Sequence, residues 1–208
     1  MNYDDMFLFV KKCLENGDAI SSKAFPFRNR YTHIVRVYKW CLRLLPDFPL
    51  CNKDVLLTSA IFHDVGYANG QKNHADTSAA IFKKYAVENG FTDDFIDLVY
   101  YNIKNHSNKS LLNDSNTNQE LILILEADLL DEEGILGIVW DLLAEGRRNP
   151  SSYNDAIKSL LEHSGHILNQ DYMVTPLAKK YWNEKKNDVK SFINGLKKDL
   201  FMEDDYEL

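Results

Sequence analysis

The run Leu56-Leu57-Thr58-Ser59-Ala60-Ile61-Phe62-His63-Asp64-Val65-Gly66-Tyr67 decides the reading of this chain. An apolar helical segment ends in an imidazole and a carboxylate, and Gly66 follows just beyond, so two metal-binding groups leave a rigid core where the helix stops. Groups able to complete such a site occur on both sides. His33 lies in Tyr31-Thr32-His33-Ile34-Val35-Arg36-Val37, and Asp128 in Leu121-Ile122-Leu123-Ile124-Leu125-Glu126-Ala127-Asp128-Leu129-Leu130-Asp131. Two imidazoles with two carboxylates form a nitrogen and oxygen site suited to Mn, Mg, Ni, Co, Fe or Zn, without the thiolates of a structural zinc site.

Other readings of these residues are weaker. A histidine near a helix C-terminus suits the dipole, but Asp64 beside it would not, whereas a cation explains both. Asp128 interrupts an apolar helix, where a carboxylate needs a metal or a basic partner.

At 208 residues the chain has the size of one compact domain with a substantial core. The expected organisation is a single domain over 1–208, its core at about 25–145 and a helical extension at about 150–205. The net charge of −7 argues against nucleic acid and anionic membranes as partners. Cys13, Cys41 and Cys51 are odd in number and lack CxxC spacing, so they read as reduced, mostly core residues. The acidic start Met1-Asn2-Tyr3-Asp4-Asp5 is unlike a signal peptide, and no apolar run reaches the roughly 18–20 residues that span a bilayer. A cytoplasmic protein is expected.

Apolar residues recur at three- and four-residue spacing nearly throughout, which predicts an all-α fold, a helical bundle with additional C-terminal helices packed on it. Helices are expected near 3–15, 31–45, 52–63, 74–88 and 93–105, with a polar loop from Gly17 to Phe27, a stop at Pro46 and Thr92 as an N-cap. Thr117-Asn118-Gln119-Glu120 has capping-box form and opens a sixth helix, which delivers Asp128. Gly134 and Gly137 divide it from a seventh ending near Glu145-Gly146. Gly146-Arg147-Arg148-Asn149-Pro150 is the best internal boundary, followed by helices near 152–168 and 176–202, the last opened by Thr175-Pro176.

His33, then His63-Asp64, then Asp128, each in its own apolar segment, resembles the pattern of the HD-domain superfamily of metal-dependent phosphohydrolases. His33-Ile34-Val35-Arg36-Val37 is similar to the first family motif and Phe62-His63-Asp64-Val65-Gly66 to the second. Glu126-Ala127-Asp128-Leu129-Leu130-Asp131 resembles the aspartate motif of the small bacterial HD hydrolases, which usually reads Asp-Ala-Asp where this chain has Glu126. The resemblance covers about 25–145. It implies a helical bundle with a divalent metal held by His33, His63, Asp64 and Asp128, and hydrolysis of phosphate esters or anhydrides, often of nucleotides. The Gly-Tyr-Pro element of the members that cleave cyclic dinucleotides is missing.

The chemistry expected is attack by a metal-activated water, with no covalent nucleophile, on a small phosphorylated substrate such as a nucleotide. Beside Asp64, the groups singled out for catalysis or substrate contact are His74, His106, Arg36 and Lys104; His74 and His106 match histidines of the resembled subgroup. Arg36 lies one turn after His33, and Asp131, one turn after Asp128, is placed to orient a ligand. One bound ion is the leading expectation. The rival class is a non-catalytic nucleotide-sensing or interaction module with a structural metal, and a nuclease is disfavoured by the acidic charge. His163 and His166, one turn apart, lack carboxylates around them. Arg147-Arg148 reads as a solvated loop, and Tyr100, Tyr101, Trp140 and Trp182 as core or rim packing.

Overall fold

A computed structural model describes residues 1–16, 29–70, 72–148 and 152–202. Among them are nine α-helices and no strand. The expected loop from Gly17 to Phe27 lies outside the described residues, as does the stretch 149–151. By proximity along and across the chain two compact units form, Met1–Asp131 and Glu132–Leu208.

The first unit contains α1 (Tyr3–Asn16), α2 (Arg30–Leu44), α3 (Lys53–Phe62), α4 (His74–Glu88), α5 (Asp93–Asn105) and α6 (Gln119–Glu132, of which the last residue falls in the second unit). α3 is its centre: every residue from Val55 to Phe62 is buried, as the uninterrupted apolar sequence requires. α1, α2 and α5 pack around it, and α4 lies along α5. Phe62 anchors an aromatic cluster, with ring centroids 5.3 Å from Phe82, 5.1 Å from Tyr85 and 6.0 Å from Phe9.

Side-chain caps fix where several helices begin. Asn29 accepts from the Thr32 N–H at the start of α2, and Asn52 accepts from the Asp54 and Val55 N–H groups at the start of α3. The expected capping box at Thr117–Glu120 does not form. Asn118 caps α6 instead, accepting from the Leu121 N–H at 2.7 Å, while the Glu120 carboxylate is drawn away by the Asn52 N–H at 2.6 Å and the Thr117 hydroxyl donates to Leu111 O. Thr92 precedes α5 as expected, but its side chain makes no cap bond.

After α3 the chain forms a short 3-10 helix, Val65–Asn69, that packs against α4. Gly66 permits this approach: a Cβ there would lie against the His74 carbonyl and 2.6 Å from the Ser78 N. The Gly66 N–H donates to Ser78 Oγ at 2.8 Å, so the turn that carries Asp64 is tied to the helix that begins with His74. Asn73, at φ 57°, makes the left-handed entry into α4, a conformation asparagine tolerates better than most residues.

The second unit contains α7 (Ile135–Arg148), α8 (Tyr153–Glu162) and α9 (Pro176–Asp199). Gly134, at φ 84°, precedes α7, whereas Gly137 lies within it, and the helix continues through Gly146 rather than stopping there. A single helix over 152–168 is not what forms: α8 ends at Glu162, and a 3-10 helix spans Ser164–Asn169. At the break Asp141 accepts from both the N–H and the hydroxyl of Ser164. Trp182 is buried and its indole N–H donates to Gln170 O at 2.8 Å, while Tyr101 is exposed and Trp140 partly so. Thr175 caps α9 as its sequence predicts. Among the described residues no helix is long and apolar enough to cross a membrane.

Phe62 is both the aromatic anchor and the residue before His63. Phe62→Ala should lower the free energy of unfolding by about 3–5 kcal/mol, measured by urea denaturation of the metal-free protein.

Candidate metal centre

Five histidine and aspartate groups converge at the ends of helices in the first unit. His33 stands in the first turn of α2, His63 at the C-terminal cap of α3 with Asp64 next, His74 at the first position of α4, and His106 at the C-terminal cap of α5. Helix α6 adds Asp128 and Asp131 one turn apart. Helix ends suit this purpose because the side chains project beyond the packed cylinders while the backbone remains fixed.

His33 and His63 face one another with their Nε2 atoms 3.2 Å apart. His63 Nδ1–H donates to Ala60 O at 2.8 Å, so its Nε2 carries a lone pair. His33 Nδ1 donates to Asp131 Oδ2, also at 2.8 Å, so the neutral ring likewise aims a lone pair inward. Two buried lone pairs at this distance repel unless something positive lies between them. Asp64 Oδ2 is 3.4 Å from His33 Nε2, and Asp128 Oδ1 is 3.3 Å from it. This is a donor set that fits a divalent cation, and His33, His63 and Asp64 offer atoms close enough to share one.

Asp64 also faces a second group. Its Oδ1 lies 3.5 Å from His74 Nε2 and 3.3 Å from His106 Nε2, and those two nitrogens are 3.3 Å apart. His106 Nδ1–H donates to Ile103 O, which turns its Nε2 toward the Asp64 carboxylate. The exposed Ser107 hydroxyl lies 3.2 Å from both Nε2 atoms and marks the open edge of the group. Tyr67 stacks on His74 with ring centroids 4.5 Å apart.

Three basic side chains surround the carboxylates. Arg30 NH1 donates to Asp64 Oδ2 at 2.8 Å, and its guanidinium lies 3.8 Å over the Tyr67 ring. Arg36 grips Asp131 with two hydrogen bonds, Nε at 2.7 Å and NH2 at 2.9 Å, and thereby fixes the acceptor that orients His33. Lys109 Nζ donates to Asp128 Oδ2 at 2.6 Å, so the basic partner that Asp128 needs is present.

The electrostatics follow from these contacts. Burial works to raise the Asp64 carboxyl, but the imidazoles of His63, His106 and His33 and the Arg30 guanidinium outweigh it and hold the group well below the usual carboxylate range. Asp128 is likewise buried and held low, by Lys109 and His33, and Asp131 by His33 and Arg36. Burial drives His63 down to about 4, against the pull of the Asp64 charge. Burial also works against a charged His33, but its hydrogen bonds to Asp128 and Asp131 and the nearby Asp64 charge raise it to about 10. In the metal-free protein these carboxylates favour the charged form of His33.

His33, His63, Asp64, His74, His106 and Asp128 are thus brought together, while Arg36 is engaged by Asp131 and Lys104 forms an exposed pair with Asp76 at 3.3 Å. Sequence reasoning missed Arg30 and Lys109. Arg30 stands three residues before His33, a spacing that places both on one helix face, and Lys109 follows His106 by three. His163 and His166 make backbone contacts in the second unit, and His166 also reaches Glu133 at 3.4 Å.

The family model described as the HD domain matches residues 30–133. Among solved structures, an HD-superfamily hydrolase from Bacillus thuringiensis aligns over 96% of this chain and 97% of its own, with a TM-score of 0.71 and 19% identity. A predicted HD superfamily hydrolase from an uncultured Thermotogales bacterium aligns over 95% and 92%, with a TM-score of 0.65 and 16% identity. YpgQ of Bacillus subtilis, in complex with ADP, aligns over 94% and 93%, with a TM-score of 0.66 and 18% identity. Likeness at this identity speaks for a shared all-α fold. None of the curated proteins matches the chain.

A cation taking His33 Nε2 must displace the proton held there below about pH 10. Calorimetric titration with Mn²⁺ at pH 7.5, in buffers of differing ionisation enthalpy, should show release of about one proton per ion, with affinity rising with pH.

Proposed function

The chain belongs to the HD domain family, and from that premise we propose that it is a metal-dependent phosphohydrolase acting on a small phosphorylated molecule, a nucleotide in the first instance, in the cytoplasm. The observation that carries this reading is the pair of inward-facing imidazole nitrogens, 3.2 Å apart and flanked by the Asp64 and Asp128 carboxylates. His33, His63, Asp64 and Asp128 would hold the ion. When bound, a divalent ion supplies Lewis acidity, making a water more acidic and drawing charge from phosphorus.

The side chains supply orientation and proton handling. Arg36 acts through Asp131, whose carboxylate fixes the His33 ring with Nε2 inward. Ala60 O does the same for His63, and Ile103 O for His106. His106 Nε2 is therefore set to accept a proton at the open edge, beside His74 and Ser107. In the hydrolysis a water oxygen forms a bond to phosphorus, the bond from phosphorus to the leaving oxygen breaks, and a proton from the water passes to that oxygen. Positioning and charge stabilisation account for most of the catalysis in such reactions.

A second reading of the same site, with two ions, is favoured by the two-sided use of Asp64. Its Oδ2 faces His33 and its Oδ1 faces His74 and His106, so Asp64, His74 and His106 form a second group able to share a cation. The ADP complex of YpgQ supports a nucleotide as the first compound class to screen.

Elemental analysis of the purified protein, combined with a nucleotide and phosphoester screen under Mn, Mg, Ni and Co, tests the reading; phosphate and pyrophosphate are followed separately. Metal without turnover on any member of the panel would instead support a sensing or interaction module. Asp128→Ala should lose bound metal and reduce kcat by at least about 10³-fold, while far-UV circular dichroism stays near wild type; full turnover in this variant would refute the assignment.

A further inference from the structure

Each aspartate around the imidazoles already has a side-chain cation of its own. Arg30 serves Asp64, Arg36 serves Asp131 and Lys109 serves Asp128. A divalent ion entering this shell therefore adds charge to carboxylates that are already paired, and the added positive charge favours an anionic ligand.

The three cations differ in what they can offer such a ligand. The Arg30 side chain is 7% exposed, packed on Tyr67 and hydrogen-bonded to Asp64. Arg36 is 42% exposed, but its Nε and NH2 are spent on Asp131 and its NH1 turns toward Thr32, so the edge it presents is directed at Asp131 and its own helix and not at Asp128. Lys109 is 29% exposed, and among the described residues its partner is Asp128, which takes one of the three N–H donors of the ammonium. The tetrapeptide His106-Ser107-Asn108-Lys109 also spans the open edge of the site: His106 faces Asp64 at one end, and Lys109 faces Asp128 at the other.

We infer that Lys109 is the residue that grips the terminal phosphate of the substrate, and that the site selects a doubly charged phosphate end, as in a monoester or pyrophosphate, over a singly charged diester. The inference rests on the phosphohydrolase reading above. An ammonium that turns its unused donors toward the outer phosphate oxygens adds charge-assisted hydrogen bonds without leaving Asp128, and a second negative charge on the ligand meets the positive charge that the ion adds.

The test compares p-nitrophenyl phosphate, a monoester dianion, with bis(p-nitrophenyl) phosphate, a diester monoanion, on the full chain with Mn²⁺. Lys109→Met should lower kcat/KM for the monoester by about 10- to 100-fold, mainly through KM, and for the diester by less than about threefold. Lys109→Arg should restore most of the monoester activity, and Mn²⁺ affinity of Lys109→Met should equal or exceed that of wild type. Equal losses on both esters, or loss of Mn²⁺ binding, would make Lys109 a purely structural partner of Asp128 and overturn the inference. If wild-type protein hydrolyses neither ester, the phosphohydrolase reading is judged by the nucleotide panel and not by these esters. Lys109 is then judged by calorimetry with orthophosphate on the Mn²⁺-loaded protein: binding at least about tenfold weaker in Lys109→Met supports the phosphate contact, and equal binding refutes it.

Discussion

Two imidazole nitrogens facing each other across 3.2 Å in a buried site are the constraint on which the rest of this structure depends. Each ring is prevented from turning away by a hydrogen bond at its far nitrogen, His63 to Ala60 O and His33 to Asp131. One acceptor is backbone at the end of α3, and the other is a carboxylate held by Arg36. The rings are thus fixed by elements that do not depend on a bound ion, and the repulsion between their lone pairs is relieved by whatever positive species lies between them. A divalent cation suits this place because Asp64 and Asp128 face the same His33 nitrogen.

The fold serves that arrangement by bringing helix ends together. α3 is packed on every side, so the residues that follow it emerge from the most rigid part of the first unit. The close approach allowed by Gly66 then places the start of α4, with His74, against the turn that carries Asp64. Rigid supports matter for a site of this kind because ligand atoms displaced by about 1 Å lose much of their use.

The helical class and most helix positions were legible because burial patterns at three- and four-residue spacing reflect local geometry that each segment carries itself. The need of His33 for acidic neighbours was legible as well, since an imidazole or carboxylate in an apolar helix calls for a partner, and Asp64 and Asp128 both lie near its Nε2. What escaped were competitions settled between distant segments. Glu120 has the right spacing for a capping box, but an N–H from Asn52, far earlier in the chain, takes its carboxylate. Asp141, 23 residues away, takes the Ser164 N–H just beyond the end of α8. Lys104 was singled out near His106, yet it pairs with Asp76 on the exposed face of its helix, while Lys109, which was not singled out, reaches the buried Asp128. Arg30 carried a readable signal in its spacing from His33, although its partner Asp64 belongs to another helix end.

The central claim is that a single divalent ion is shared by groups from three separate stretches of chain. It is tested most directly by the anomalous diffraction of crystals grown with Mn²⁺, recorded near the metal absorption edge. The account predicts a peak between His33, His63, Asp64 and Asp128, with both Nε2 atoms at about 2.0–2.3 Å from it. An empty site at full metal loading, with the ion bound elsewhere or the imidazoles turned apart, would contradict it.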